Sequence, residues 1–410
     1  MTLKSGNANV QETTISPTTR AVGASQHGAR DAADLLRAYL AGYLDDHPDA
    51  ILQLTGGLDS RVLLGAIPPA RRTGLEALTL AVPGSTDVMI ASDLAERYGM
   101  RHRIVTFDGL DAISPKTAHR MCVDAALSIE CSADPLASAS IAYAEAQVEQ
   151  RPRLAGLGGE VARGFYYFGS NRHHVVNRRR VEHLANWRLF PNGSVPPTSL
   201  STDFAQSARR TTIDEIYAIV AGTGLDWLRA TDEFYLGQRM HRWAGALASS
   251  TCFDRAATNP MLDYRFLEIA RQQLPRDKKN MRFLSRILIE LDPELAAIPL
   301  DGRPAPATYA RSGPESSARM AALTARKVAR KARQRMTRQR RSPAGGQILA
   351  TKVVEHWRAY PSSLDGVRSL DIFDAGYLDR LLAGTAPVDT ASVALLVNLE
   401  VATSSPDLPV

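Results

Sequence analysis

Cysteine, aromatic residues and long apolar runs are all scarce in this 410-residue chain. The three cysteines, Cys122, Cys131 and Cys252, are scattered and match no zinc-binding spacing, so we expect reduced thiols in a cytoplasmic protein. No apolar run approaches the ~18 residues that cross a membrane, and residues 1–27 lack the apolar centre of a signal peptide. The composition therefore predicts neither a membrane protein nor a disulfide-rich secreted one.

Acidic residues are missing from one stretch of the chain. Residues 319–341 hold ten lysines or arginines and no Asp or Glu, while the whole chain carries a formal net charge of +6, so the remainder is mildly acidic. Three interpretations of this basic strip stay open: a solvated connector, a mobile lid over nucleotide phosphates, or an RNA contact. Because no extended positive face accompanies the strip, we do not expect nucleic acid as a partner.

The chain does contain a strand, a glycine turn and a helix start near residue 55. The apolar run at 50–54 predicts a buried strand, and a helix is expected from Asp59 onwards. Glycines allow backbone N–H groups to approach an anion, and a helix N-terminus favours negative charge. Asp59 would repel phosphates unless a cation lay between them, and Mg²⁺ suits that position. The candidate phosphate-binding residues are Thr55, Gly56, Gly57, Leu58, Asp59 and Ser60.

Apolar runs alternate with helical periodicity along the first 160 residues. Strands are predicted at 50–54, 75–82, 103–107 and 153–157, with helices at 29–44, 87–98, 116–127 and 135–149. This alternation predicts an α/β fold, in which a parallel sheet carries helices on both faces and ligands bind at the carboxyl ends of the strands. Residues 171–300 lack strand alternation and are predicted to be helical, as are parts of 350–403.

A second glycine-rich turn follows the fourth predicted strand, where residues 156–160 read Gly-Leu-Gly-Gly-Glu. Glu160 would supply a carboxylate facing Asp59 across the strand ends. Two carboxylates and a triphosphate provide the oxygen ligands that Mg²⁺ prefers. The sequence therefore predicts a magnesium–nucleotide site between Asp59 and Glu160.

These motifs carry a family resemblance. Residues 55–60 resemble the Ser-Gly-Gly-x-Asp-Ser PP-loop of ATP pyrophosphatases, with threonine in place of the first serine. Residues 83–87 read Pro-Gly-Ser-Thr-Asp, and residues 259–263 read Asn-Pro-Met-Leu-Asp, which is similar to a Pro-Phe-Leu-Asp motif. In this order, and with the turn at 156–160, they resemble the synthetase domain of glutamine-dependent asparagine synthetases, β-lactam synthetases and lasso-peptide cyclases.

The resemblance implies a PP-loop variant of the Rossmann-like sheet, of the adenine nucleotide α-hydrolase type, followed by a mostly helical C-terminal part. It implies that Asp59 and Glu160 hold Mg²⁺, that residues 55–60 hold pyrophosphate, and that backbone near Leu80 and Gly156 holds adenosine. Asp87, in the second motif, belongs to the same nucleotide-binding set.

The activity that the resemblance implies is an ATP-dependent, AMP-forming ligation. A carboxylate is adenylated, pyrophosphate leaves, and an amine then displaces AMP to give an amide. We expect small-molecule or peptide carboxylate and amine substrates, with partner proteins of a specialised biosynthetic pathway.

Three departures from the family pattern bear on this expectation. Leu157 stands where the family has an acidic residue, and Arg282 stands where it has a lysine four residues before an arginine, here Arg286. Because arginine cannot act as a base, Lys278 and Lys279 are the alternative candidates. No nucleophilic cysteine lies near the first residues, so we expect no glutamine hydrolysis.

Two other functions remain open at the level of sequence. An RNA-modifying PP-loop enzyme would account for the basic strip, and a catalytically degenerate nucleotide-binding scaffold would account for the changed positions. The expected organisation is a disordered leader at 1–28, a ligase domain at 29–300, a basic mobile linker at 301–346, and C-terminal helices at 347–410 that pack on the ligase domain.

Overall fold

The computed structural model describes residues 2–4, 7–9, 27–82, 85–167, 174–192, 195–252, 254–310 and 345–404. The basic strip, the first two residues of the motif at 83–87 and most of the predicted leader lie outside the described residues. Two short strands, β1 (Thr2–Lys4) and β2 (Asn7–Asn9), pair in antiparallel fashion within the segment predicted as a leader. In the described part of the chain, no helix is long and apolar enough to cross a bilayer.

A five-stranded parallel sheet forms the centre of the molecule, with the strand order β5-β4-β3-β6-β7. Four of these strands, β3 to β6, arise from the runs that the sequence marks, and the outer β7 is a two-residue segment in a region predicted to be helical. Two residues are too few for any alternation to be recognised. The strands are β3 (Ile51–Gln53), β4 (Glu76–Leu80), β5 (Arg101–Val105), β6 (Arg153–Leu154) and β7 (Ala257–Thr258).

The strand order creates a switch point at the middle of the sheet. From β3 the chain adds β4 and β5 on one side, and it then returns to add β6 and β7 on the other. In open α/β sheets, a crevice forms at the carboxyl ends of the two strands where the direction reverses. The turn at residues 55–60 follows β3 and the turn at 156–160 follows β6, so both border this crevice.

Most predicted helices are confirmed, with ends that differ by a few residues. Helix α4, for example, ends two residues before Gly99, whose positive φ of 64° suits the left-handed turn that glycine favours. The α-helices are α1 (Gly28–Asp46), α2 (Leu58–Ala66), α3 (Pro69–Arg72), α4 (Asp87–Arg97), α5 (Pro115–Ser128), α6 (Pro135–Glu145), α7 (Arg178–Leu184), α8 (Thr202–Gly222), α9 (Trp227–Phe234), α10 (Gly245–Cys252), α11 (Tyr264–Gln272), α12 (Pro275–Lys278), α13 (Arg282–Leu291), α14 (Pro293–Ala297), α15 (Pro306–Ala310), α16 (Gly346–Ala359), α17 (Asp365–Arg368), α18 (Tyr377–Leu382) and α19 (Thr390–Ser404).

Several shorter helical turns have other geometries. The segments Ala185–Leu189 and Tyr235–Ala244 are π-helical, a form that is rare and often occurs at functional sites. The 3₁₀ turns are Gly159–Arg163, Phe190–Asn192, Pro197–Ser199, Pro260–Leu262, Lys279–Met281 and Pro361–Leu364.

Helices cover both faces of the sheet. On one face, Leu52 and Ala77 join a large core that α1, α2 and α13 complete. On the other face, Ile51 and Leu78 pack with Ala144 of α6. Successive strand residues point to opposite faces, so an all-apolar run is buried on both sides. The structure is therefore α/β with a parallel core sheet, as the alternation of apolar runs predicts.

A second core lies between α5, α6 and the C-terminal helices. Helix α16 packs on α5 and α6, and α19 packs on the same helices. Buried Glu400 of α19 accepts hydrogen bonds from Trp357 Nε1 at 3.0 Å and pairs with His119 Nε2 at 2.9 Å. These contacts join three helices that lie far apart in the sequence.

Part of the segment predicted as a linker is packed. Helix α15 begins at Pro306, and Tyr309 within it is 5% exposed and belongs to the main core. Proline is favoured at the first position of a helix, so a proline-rich segment can begin a helix as well as interrupt one.

Candidate active site

The glycine turn after β3 is closed by its own hydroxyl groups. The Gly57 N–H donates to Thr55 Oγ1 at 3.1 Å, and Thr55 Oγ1 lies 3.1 Å from Ser60 Oγ. The Thr55 N–H in turn donates to Ser60 Oγ at 3.2 Å. Helix α2 begins at Leu58, so the turn leads directly into a helix N-terminus. The hydroxyl groups of Thr55 and Ser60 therefore stabilise the conformation of the turn through hydrogen bonds within it.

The motif at 83–87 is connected to this loop through Asp87. Its Oδ1 accepts the Gly56 N–H at 2.8 Å, and its Oδ2 accepts the Ser85 hydroxyl at 2.8 Å. The Asp301 N–H donates to the Gly56 carbonyl at 3.3 Å, and the Thr86 hydroxyl donates to the Asp301 carboxylate. Asp87 therefore holds one loop amide, which is a positioning contact. Leu80, predicted near the adenosine, ends β4 and is half-buried.

A fully buried arginine fixes the other side of the loop. Arg61 donates to the carbonyls of Ile298 and Pro299, each at 2.7 Å, and lies 3.5 Å from the Gly56 carbonyl. Burial lowers the pKa of Arg61 to about 10, which still leaves it charged at neutral pH. The segment 298–301 is thereby tied to the glycine turn.

The second glycine-rich turn approaches α2 at backbone distance. A Cβ atom at Gly156 would lie 3.1 Å from the Ser60 nitrogen, and one at Gly159 would overlap Asp59 Oδ1. Gly158 has φ +100°, where a side chain would be strained. Its N-terminal neighbour Leu157 donates its N–H to Asn259 Oδ1 at 3.2 Å. The glycines are therefore needed for the close approach of the two turns.

The two predicted carboxylates come together around one arginine. The same Nη2 atom of Arg163 lies 2.9 Å from Asp59 Oδ2 and 2.9 Å from Glu160 Oε1. All three side chains are about one-fifth exposed. The structure thus brings Asp59 and Glu160 to one place, with a cation between them that the sequence does not predict.

The environment of this pair raises the cost of its negative charge. Burial raises the pKa of Asp59 to about 6, with Arg163 and Arg303 acting in the opposite direction and Glu160 adding to the rise. Burial, and then Glu160, raises the pKa of the Tyr235 hydroxyl, which is enclosed beside Glu160. Added positive charge would therefore stabilise the site.

The donor set of the pair fits a hard divalent cation such as Mg²⁺. Asp59 Oδ1 and Glu160 Oε2 are both buried without a hydrogen-bond partner among the described residues. Within those residues, no group of three or more His, Cys, Asp or Glu side chains is arranged for a metal. Because Mg²⁺ binds through oxygen ligands that include one or two carboxylates, these two residues present oxygens of the kind that it accepts.

The two candidate lysines have different environments. Lys278 is 1% exposed and donates to Asp232, which also accepts the Tyr167 hydroxyl at 2.6 Å. Burial raises the pKa of Asp232, although Lys278 opposes that rise. Lys279 is partly exposed, and burial lowers the pKa of its amine. Lys278 is therefore held in a buried ion pair, whereas Lys279 is the lysine that a substrate can reach.

A strained turn precedes Arg282, which begins α13. Asn280 and Met281 have φ values of 59° and 64°, and neither is a glycine. Consecutive left-handed residues of this kind cost free energy and are concentrated at functional sites. The turn packs against the segment Gly159–Arg163, and Arg282 Nε is buried without a hydrogen-bond partner among the described residues.

Arginines pack on aromatic rings close to Tyr235, the residue beside Glu160. The guanidinium groups of Arg188 and Arg239 lie 4.8 Å and 5.5 Å from the Phe165 ring centre, and Arg239 also lies 4.4 Å from that of Trp243. Each of these arginines belongs to one of the two π-helical segments. Cation–π contacts of this kind hold charged side chains in place.

Sequence reasoning finds both carboxylates but not their neighbours. Arg163 lies three residues after Glu160 on one helical turn, which is a weak signal that the spacing alone could have supplied. Tyr235 and Arg303 approach from segments distant in the sequence, so only the folded chain shows them beside Glu160 and Asp59.

No family model matches this chain, and no curated protein matches it.

Proposed function

We propose that this protein is an AMP-forming ligase of the PP-loop type, which uses ATP and Mg²⁺ to activate a carboxylate and join it to an amine. The observation that supports the proposal is the close approach of the turns at 55–60 and 156–160. They lie at the carboxyl ends of adjacent strands and bring two carboxylates together at the switch point of a parallel sheet.

In the proposed reaction, a substrate carboxylate oxygen attacks the α-phosphorus of ATP and pyrophosphate leaves. The amine then attacks the acyl carbon, loses a proton, and AMP leaves with its bonding electron pair. The glycine turn and the N-terminus of α2 orient the phosphates, since backbone N–H groups and the helix dipole favour anions there. Mg²⁺, held by Asp59 and Glu160, would neutralise phosphate charge.

Lys279 is the candidate group for handling the proton of the amine. Its lowered pKa brings it nearer to neutral pH, where a lysine can accept a proton. Arg282, four residues before Arg286, remains positively charged and so would serve the phosphates rather than the proton.

We propose a small-molecule or peptide acid as the substrate in preference to RNA, because the described site is centred on two carboxylates and not on a basic surface. The basic strip at 319–341 lies outside the described residues. Partner proteins of a biosynthetic pathway remain part of the proposal.

The products of ATP turnover test this function. The protein is incubated with Mg²⁺-ATP, a panel of carboxylic acids and amines, and the nucleotides are separated by ion exchange. We expect AMP and pyrophosphate in equal amounts, formed only with a matching acid. Formation of ADP and phosphate would identify a different phosphoryl chemistry. Nucleotide binding without turnover across the panel would favour the degenerate scaffold instead.

A further inference from the structure

Arg163 occupies the position between the two carboxylates, where the proposed function places a divalent cation. A single nitrogen of its guanidinium contacts Asp59 Oδ2 and Glu160 Oε1, both at 2.9 Å. An arginine that binds a carboxylate strongly does so with two parallel N–H groups. Here each carboxylate receives only one contact, from the same atom, so the pairing is open to displacement.

The remaining oxygens show that this pairing is incomplete. Asp59 Oδ1 and Glu160 Oε2 are both buried without a hydrogen-bond partner among the described residues. A buried carboxylate oxygen left without a partner destabilises the folded state. A permanent structural ion pair would be expected to satisfy these atoms, whereas a pair that gives way to another ligand need not.

The arrangement also explains how two acidic groups remain together before a metal arrives. Two carboxylates at one site repel each other, and the favoured alternative is uptake of a proton by one of them. The Arg163 guanidinium supplies one positive charge to both. Because the three side chains are each about one-fifth exposed, a cation from solvent can reach the pair.

We propose that Arg163 is a displaceable counter-ion, which holds Asp59 and Glu160 in place until a divalent cation takes its position. Arg163 then moves away from the carboxylates toward the phosphates, the other negative groups expected in the site. This inference rests on the proposed function, which identifies the site. It adds that the divalent cation replaces the Arg163 guanidinium at the two carboxylates. Arg163 is a positioning residue in this scheme.

Competition for the carboxylates gives a direct test. Mn²⁺ is titrated into the wild-type protein and Arg163→Ala without nucleotide, and free Mn²⁺ is followed by electron paramagnetic resonance. Removal of a competing positive charge from direct contact should tighten Mn²⁺ binding by at least about tenfold. Arg380→Ala is the matched control, because Arg380 pairs with Asp374 at 2.7 Å and contacts neither Asp59 nor Glu160 among the described residues. Its Mn²⁺ affinity should stay close to that of the wild type.

Thermal unfolding supplies a second measurement that does not depend on activity. Mn²⁺ should raise the melting temperature of Arg163→Ala more than that of the wild type, because a ligand stabilises the folded state according to its affinity. Should the alanine variant fail to fold, Arg163→Gln keeps the side-chain length without the charge and is expected to show the same direction.

Equal Mn²⁺ affinity in the wild type and the Arg163 variant would overturn the proposal, as would absence of Mn²⁺ binding to the variant. Radiolabelled pyrophosphate exchange into ATP, measured on the same wild-type preparation, separates this failure from that of the proposed function. If the wild type catalyses exchange but the Arg163 variant binds Mn²⁺ no more tightly, only the counter-ion role of Arg163 is wrong. If the variant binds Mn²⁺ more tightly but the wild type catalyses no exchange, the cation site is supported and the ligase function is wrong.

Discussion

At the residue scale, the candidate site depends on positions where there is no room for a side chain. Gly156 and Gly159 lie against the backbone of Ser60 and the side chain of Asp59. A methyl group at Gly156 would press on that backbone, and one at Gly159 would overlap Oδ1 of Asp59 and displace its side chain. The spacing of the two carboxylates therefore follows from two glycines.

We expect Gly159→Ala to abolish pyrophosphate exchange, because the new Cβ would displace Asp59. Gly156→Ala should reduce exchange at least about tenfold through contact with the Ser60 backbone. Gly42→Ala is the control: Gly42 lies within α1, nothing would lie within 4 Å of its Cβ, and alanine favours a helix by roughly 0.5–1 kcal/mol. Full exchange in Gly159→Ala, with near-ultraviolet circular dichroism unchanged, would show that the close approach is dispensable.

A second residue-scale prediction concerns Asp87, which holds the Gly56 N–H. Asp87→Ala removes this acceptor and the one for the Ser85 hydroxyl. Loss of a hydrogen bond worth about 0.5–1.5 kcal/mol should raise KM for ATP roughly three- to tenfold, with a smaller effect on kcat. Asp93→Ala, at an exposed position of the same helix, should leave KM unchanged. An unaltered KM in Asp87→Ala would remove its role in positioning the loop.

The residues of the site differ in how far the sequence predicts them. Asp59 and Glu160 follow strands and glycines in the chain itself, so their meeting at the sheet edge can be expected from local pattern. Arg163 carries no such pattern, because an arginine three residues after a glutamate is common on any helical turn. Tyr235 comes from a segment 75 positions beyond Glu160, and only tertiary packing brings it there.

At the element scale, four of the five strands of the sheet are predicted from the sequence. The strands at 51–53, 76–80, 101–105 and 153–154 fall in or overlap the predicted runs, whereas β7 has two residues in a segment predicted to be helical. The order of the strands depends on pairing between segments distant in the chain, which hydrophobic periodicity does not encode. The switch point that locates the site is therefore a finding of the structure.

Histidine at the edge of the sheet gives an element-scale prediction. His102 of β5 lies 2.8 Å from Thr79 Oγ1 of β4 and 3.0 Å from Ser92 Oγ of α4, and burial lowers the pKa of the imidazole. Below a pH of about 6.5, His102 binds a proton more readily in the unfolded chain than in the folded chain. Folding stability should therefore fall as the pH decreases through this range, and His102→Gln should weaken that dependence.

Urea denaturation between pH 5 and pH 7.5 measures this effect. The control is His241→Gln, at an exposed position, which should reproduce the wild-type dependence on pH. A steeper loss of stability at low pH in His102→Gln than in the wild type would contradict the sign of the predicted shift.

At the scale of the whole molecule, a second hydrophobic core between α5, α6 and the C-terminal helices is separate from the core that α1, α2 and α13 form on the sheet. The second core contains one buried carboxylate, Glu400, which Trp357 and His119 satisfy. Glu400→Leu would leave the buried Trp357 Nε1 and the partly exposed His119 without an acceptor, so we expect the free energy of unfolding to fall by about 3 kcal/mol. Glu355→Leu, at an exposed position of α16, should change it by less than about 0.5 kcal/mol.

Chemical denaturation of the two variants checks this prediction. An equal effect at the exposed and the buried glutamate would show that the polar contacts of Glu400 do not hold the C-terminal helices. Because Glu400 belongs to the second core, pyrophosphate exchange by the folded fraction of Glu400→Leu should persist.

In the proposed function, the paired carboxylates at the switch point serve ATP cleavage between the α and β phosphates. Exchange of radiolabelled pyrophosphate into ATP, with Mg²⁺ and a panel of carboxylic acids, measures this cleavage in the wild type, Asp59→Asn and Glu160→Gln. We predict acid-dependent exchange in the wild type and at least about a hundredfold loss in each variant, with folding intact. Exchange at the wild-type rate in Asp59→Asn, or none in the wild type with any acid, would contradict the account.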